Sequence, residues 1–139
     1  MPTCVASPPM AHTTTLKVRF YELDPYNHVN HTAYLGYFET ARIEALESVG
    51  LGMDDMSAAG VHVVVVEAKA RFFVPAVGGD TLTIESEVKE RRRASSIWEQ
   101  RMVRGDTLIA TLEIRAAVTD LGGKPTRFPA DLAEAFSAL

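Results

Sequence analysis

This sequence predicts an α+β fold, an antiparallel sheet of five to six strands wrapped around one long central helix. Three observations predict it. From about His31 to Val49 runs one helical segment that is apolar on most of its sides, and a helix of that kind is a buried one. Other segments alternate apolar and polar residues with period two, the mark of half-buried strands. The strands after the helix are joined by short turns, which imply antiparallel neighbours. A chain of 139 residues is one domain long and buries about two-thirds of its unfolded surface without help from disulfides or metals.

Residues 1–13 read as a flexible arm, because Pro2, Pro8, Pro9 and Ser7 discourage regular structure; residues 14–139 read as the single domain. The arm holds Cys4 and His12, to which no role is given. The first strand starts near Thr15, with Leu16, Val18 and Phe20 alternating with Lys17, Arg19 and Tyr21. Asp24-Pro25 then signals a turn, and Asn27 tolerates left-handed backbone angles. Asn30 suits the N-cap of the helix, leaving the amides of His31, Thr32 and Ala33 without helical partners. Gly50 and Gly52 end the helix. A long strand follows around Val64 to Val74, closed by Pro75, Gly78 and Gly79. Leu82, Ile84, Ser86 and Val88 mark the next, and Ser95 to Arg104 another. Gly105-Asp106 suits a two-residue hairpin turn. Leu108 to Val118 gives the cleanest alternation in the chain, before a turn at Leu121 to Lys124. Pro129 to Phe136 forms a short last helix with proline in its first turn.

Composition removes several function classes. Hydrophobic residues at 47% and charged residues at 23% are globular values. A net charge of −4 argues against a nucleic-acid binder, which carries a basic excess. No apolar run approaches the ~18 residues of a membrane span. The single cysteine rules out an internal disulfide and a cysteine-rich metal site. The first residues lack a basic residue ahead of their apolar ones and make a poor signal peptide. The expectation is a cytoplasmic protein that meets neither membrane nor nucleic acid.

Candidate chemistry concentrates between the first strand and the helix, in Glu22, Asp24, His28, Asn30 and His31. A helix amino end carries partial positive charge and unpaired amides. A carboxylate there stays ionised, and a substrate oxyanion meets the same amides. One short segment thus supplies a base or nucleophile and an oxyanion site, although an Asx turn alone also explains Asp24. His28 and His31 lack a third ligand of matching spacing, so no metal site is assigned; His28 orders the loop or donates to Asp24. Glu39 and Arg42 lie three apart on the helix, as an ion pair, as its exposed stripe, or with Glu39 facing a cleft and orienting water. Lys89 to Arg93 is a basic run at a turn on an acidic protein, solvated or clamping phosphates such as those of coenzyme A; Lys124 and Arg127 extend the patch.

The stretch Arg19-Phe20-Tyr21-Glu22-Leu23-Asp24-Pro25, then His28-Val29-Asn30, Tyr34-Leu35 and Phe38-Glu39-Thr40-Ala41-Arg42 resembles the signature of hotdog-fold acyl-CoA thioesterases, in the 4-hydroxybenzoyl-CoA thioesterase-like branch. The likeness runs from about Leu16 to the C-terminus. It implies a long helix wrapped by an antiparallel sheet, homodimers or homotetramers, and active sites at the dimer interface. It implies thioester hydrolysis with Asp24 as nucleophile or general base, and the backbone amide of His31 polarising the thioester carbonyl. His28 and Glu39 join them as candidates. It implies an acyl-CoA substrate, coenzyme A being part of that substrate and not a separate cofactor. Arg92 and Arg93 would approach the coenzyme A phosphates, and Asn30, Tyr34, Phe38 and Val64 would line the substrate. Two positions depart from the pattern, Asn27 where glycine is common and His31 where asparagine is. A non-catalytic acyl-CoA binding module and a hotdog hydratase or dehydratase are the rival readings.

Overall fold

The structure, a computed structural model, describes residues 11–139. Among these residues are five strands, β1 (His12–Lys17), β2 (Val61–Phe72), β3 (Thr81–Arg91), β4 (Ser95–Arg104) and β5 (Thr107–Asp120), and three α-helices, α1 (His31–Ser48), α2 (Met53–Ala58) and α3 (Ala130–Phe136). The strands form one sheet in the order β1-β3-β4-β5-β2, every pairing antiparallel. The long helix α1 packs on one face of it, as the alternation and the short turns predict.

The core lies between them. Tyr34, Tyr37, Phe38, Ala41, Ala45 and Leu46 are the buried residues of α1, at helical spacing along one stripe. They meet Leu82 and Ile84 of β3, Trp98 and Met102 of β4, and Ala110 to Ala116 of β5. In β4 burial alternates strictly, with Ser96, Trp98, Gln100 and Met102 inward. The turn into β5 has two residues, Gly105 taking a φ of 59°, and joins Arg104 to its register partner Thr107. Among the described residues no helix is long and apolar enough to cross a membrane.

Several boundaries differ from the expectation. β1 starts at His12, inside the expected arm, because residues from His12 to Lys17 pair with Ser86 to Thr81. The rest of the arm and Cys4 lie outside the described residues. β1 also stops at Lys17: Phe20–Glu22 is a 3-10 turn with Phe20 and Tyr21 exposed, so the alternation there is not a strand. The helix α2 was not expected, since six residues are too few for periodicity to register. The larger correction concerns α1. It is not buried on most sides: Leu35 is 46% exposed, and Glu39, Thr40, Glu44 and Glu47 face solvent. The sheet of one chain covers only one stripe of the helix and leaves an apolar flank open.

Candidate active site

Asp24 stands at the base of a small hairpin. Leu23 bridges Val29, the Asp24 N–H donates to the His28 carbonyl at 2.7 Å, and the Asn27 N–H donates to the Asp24 carbonyl at 3.2 Å. Pro25 presets the turn and Asn27 takes a φ of 62°, giving the three-residue loop in which a turn is followed by one left-handed residue. The hairpin docks on the segment after β2: His28 bridges Val77 and the Val29 N–H donates to the Ala76 carbonyl at 2.8 Å. A Cβ on Gly78 would lie 3.0 Å from Leu23 Cδ1 and 3.2 Å from Asn27 Oδ1, so glycine permits the close approach.

The Asp24 carboxylate is partly buried. Its Oδ1 accepts the amides of Tyr26 (2.8 Å) and His28 (3.1 Å). The Asx turn is therefore real, and it occupies one oxygen only; Oδ2 has no hydrogen-bond partner among the described residues. His28 supports Asp24 through its backbone, and its imidazole is exposed.

Asn30 caps α1. Its Oδ1 accepts the Thr32 N–H at 3.1 Å, and its carbonyl accepts the Ala33 N–H at 2.8 Å. Of the three amides expected to be free at this helix start, His31 alone keeps an N–H without an acceptor among the described residues. The open carboxylate oxygen and the open amide flank the same hairpin.

Glu22 ties that hairpin to the helix. Its Oε1 accepts the Tyr37 hydroxyl and the Arg19 N–H, each at 2.8 Å, and its carbonyl accepts the Asn30 N–H at 2.8 Å. Burial, and then Glu22 as acceptor, push the Tyr37 hydroxyl well above the usual phenol range. Asp80 holds the other side: Oδ2 accepts the Val77 N–H at 2.9 Å and Arg104 NH1 at 2.7 Å. Burial raises the Asp80 pKa, but these two partners outweigh it and bring it below the ordinary aspartate value.

The remaining candidates distribute unevenly. Tyr34 and Phe38 are core residues: the Tyr34 hydroxyl accepts the Ala76 N–H at 2.9 Å, its ring lies 5.0 Å from that of Phe72, and Phe38 is 0% exposed. Tyr34 thereby holds the segment on which the hairpin docks. Val64 sits opposite Ala117, on the other face of β2 from Val63 and Val65, which line a groove beside α1. Glu39 also lines that groove. It makes no ion pair with Arg42, whose NH1 donates to Gln100 Oε1 at 2.8 Å. Gln100 in turn donates to the Phe38 carbonyl and to Ser86 Oγ, each at 2.9 Å. Sequence reasoning missed this buried network; the signal was a polar residue between Trp98 and Met102 in an inward-facing register.

Arg92 pairs with Glu90 at 2.6 Å, and Arg93 is exposed with no side-chain partner among the described residues. Both stand far from Asp24. Arg91 is level with Ser96, Ala116 and Val65 across the sheet, whereas the Asp24 hairpin docks beyond Phe72. At 3.3 Å per residue the separation is on the order of 30 Å. One chain alone does not join the two groups.

Residues 18–136 match the family model of the thioesterase-like superfamily. An acyl-CoA thioesterase, YbgC of Haemophilus influenzae, is 31% identical over 126 residues, which cover 89% of this chain and 93% of that protein. The long-chain acyl-CoA thioesterase FadM of Escherichia coli is 39% identical over 87 residues, 63% of this chain and 65% of that one. The crystal structure of a hypothetical protein from Thermus thermophilus superposes with a TM-score of 0.87 at 31% identity, covering 92% of this chain and 98% of that one.

Proposed function

Because this chain belongs to the thioesterase-like superfamily, we propose that it hydrolyses the thioester of an acyl- or aroyl-coenzyme A to the free acid and coenzyme A, with Asp24 as nucleophile or general base. One observation carries this reading: an open carboxylate oxygen on Asp24 and an open amide on His31 stand on the two ends of one short, doubly anchored hairpin. The thioester carbonyl oxygen accepts the His31 N–H. As the carbonyl carbon turns tetrahedral, negative charge grows on that oxygen, and a donor aimed at it is worth on the order of 3 kcal/mol. Asp24 Oδ2 then attacks the carbon, expelling the thiolate and leaving a mixed anhydride that water cleaves, or it takes the proton of an attacking water.

The second half of the site comes from a second copy. Among the described residues the edge strand β2 pairs only with β5, and it exposes Val64, Val65, Val66 and Phe72, an edge of the kind that recruits another strand. Antiparallel pairing of two β2 edges about a twofold axis sets the Val61 end of one against the Phe72 end of the other. Arg92 and Arg93 of one copy then approach the Asp24 hairpin of the other, within reach of the coenzyme A phosphates. Homodimers, alone or paired into tetramers, are the working form.

The test is Asp24→Asn assayed on benzoyl-, phenylacetyl- and palmitoyl-CoA. The variant keeps the wild-type circular dichroism spectrum and loses at least about two orders of magnitude in rate, the scale of a lost base. A variant within a few-fold of wild type would remove Asp24 from the mechanism, and a wild type that binds these thioesters without cleaving any is a binding module.

A further inference from the structure

We infer that the C-terminal helix α3 is a strap that positions the arginine turn between β3 and β4 for coenzyme A, with Phe136 as its clasp and Arg93 as the arginine it presents. The inference rests on the reading above that this turn meets the phosphates of the substrate.

The turn has two ties to the sheet. The Arg92 N–H donates to the Ser95 carbonyl and the Val118 N–H donates to the Ala94 carbonyl, each at 2.8 Å. Neither bonds Arg93 itself. The Arg93 carbonyl accepts the N–H of Phe128, also at 2.8 Å, and Phe128 stands two residues before α3. The backbone of Arg93 is therefore held from the C-terminal segment.

Phe128 is held in its turn. Its ring stacks on that of Phe136, with centroids 5.2 Å and planes 21° apart, and Phe136 leans on Trp98 of β4 at 6.1 Å. Arg91 closes the circuit. Its Nε donates to the Phe136 carbonyl at 3.3 Å, and its guanidinium lies 5.7 Å from the Phe136 centroid. A cation at the carboxyl end of a helix meets carbonyls without helical partners, and a cation over a ring meets its negative face. Arg91 and Arg93 are two residues apart, yet the contacts that join their positions run through Phe136 and Phe128. The strap is seated lightly. None of the seven residues of α3 is buried, and a cavity of about 80 Å³ remains beneath it, lined in part by Trp98, Phe128, Ala133 and Phe136. A helix that short does not persist on its own, so these aromatic contacts decide where it lies.

The three arginines thereby take different parts. Arg91 is engaged with Phe136. Arg92 gives two guanidinium nitrogens to Glu90 Oε1, at 2.8 and 2.6 Å. Arg93 is exposed with no side-chain partner among the described residues, so it meets a phosphate without giving up a bond. A turn ordered beforehand binds better than a loose one, because less freedom is lost on binding.

The experiment measures calorimetric affinity for coenzyme A and for pantetheine, which lacks the nucleotide and its phosphates. It adds kcat and KM on the fastest of benzoyl-, phenylacetyl- and palmitoyl-CoA. The proteins are wild type, Phe136→Ala, Phe136→Tyr, Arg93→Ala and the double variant Phe136→Ala/Arg93→Ala. Phe136→Ala weakens coenzyme A binding and raises KM about three- to ten-fold, the scale of one long side chain left unordered, with kcat and pantetheine binding unchanged. Phe136→Tyr keeps the ring and binds like wild type. Arg93→Ala weakens binding at least as much, and in its background Phe136→Ala has no further effect, since the one acts through the other. A Phe136 that serves stability alone lowers Tm in every background and leaves the affinity of the folded protein as it was; that result overturns the strap, and so do losses that add. Should Phe136→Ala fail to fold, Arg91→Ala, at an exposed position, opens the same contact with the same expectation; losses that add to those of Arg93→Ala make Arg91 a direct phosphate ligand and overturn the strap equally. Coenzyme A bound no more tightly than pantetheine by wild type overturns the place of the arginine turn, and the strap with it, while cleavage of any of the thioesters leaves the thioesterase reading intact. Coenzyme A affinity that follows Phe136 through Arg93, with no thioester cleaved, upholds the strap and overturns the hydrolase.

Discussion

At Glu22 one side-chain oxygen serves two donors, and both matter to the geometry of its neighbours. Glu22→Ala leaves the buried Tyr37 hydroxyl without its acceptor, at a cost of about 1–3 kcal/mol. It also removes the side-chain tie between Tyr37 and the strand-to-hairpin turn, while the Asn30 N–H keeps the Glu22 carbonyl. The expected result is a kcat reduced about ten-fold with KM little changed, because the carboxylate and the amide lose their alignment, not their ability to hold coenzyme A. Glu22→Gln, which keeps an acceptor for Tyr37, restores most of it, and steady-state kinetics with thermal denaturation on both variants decides. A fall in KM-determined affinity with kcat intact would contradict the positioning role. Glu22 was visible as a candidate, but its role was not, since Tyr37 is 15 residues away and only the fold joins them. The Asp24 turn, the Asn30 cap and the unpaired His31 amide were legible because cap and turn chemistry is local. Which face of β2 Val64 takes was not legible, because it depends on register, and a bulge follows at once.

At the scale of elements, the hairpin is as stable as the segment it docks on, and that segment hangs on the Asp80–Arg104 pair. The folded state holds Asp80 below its ordinary pKa. Its contribution is therefore fully present above the unfolded value near 3.8 and is lost as pH falls through the lower folded value. Acid titration of stability, followed by denaturant midpoint from pH 6 to pH 2, is expected to lose its steepness in this range in Asp80→Asn, and an equally steep profile would count against the pair. Among elements, α1 and the strands after it were legible in outline from periodicity. β1 was misplaced because threonines at 13–15 carry no apolar alternation; its pairing with β3 comes from tertiary register. The exposed flank of α1 was read as buried because composition reports that a face is apolar and not what covers it.

For the whole molecule, the separation of Arg92 and Arg93 from Asp24 makes the proposed dimer part of the proposed chemistry. Inactive Asp24→Asn and weakened Arg92→Ala/Arg93→Ala proteins, mixed and allowed to exchange subunits, form mixed dimers with one intact site each. Activity is expected to recover to about a quarter of wild type in an equal mixture, the share set by random twofold assembly. No recovery despite exchange, or a monomer in light scattering at micromolar concentration, would refute the shared site. Such an assembly also bears on the life of the newly made chain. The β2 edge carries four consecutive valines, the composition that seeds fibrils when left bare. The bulge after Val65 and the charges of Glu67, Lys69 and Arg71 immediately follow, and such gatekeepers slow indiscriminate stacking. Dilution or overproduction that outruns pairing is thus expected to yield precipitate sooner than a lasting single copy, and the valines proposed to receive a second copy would also set a time limit on meeting it.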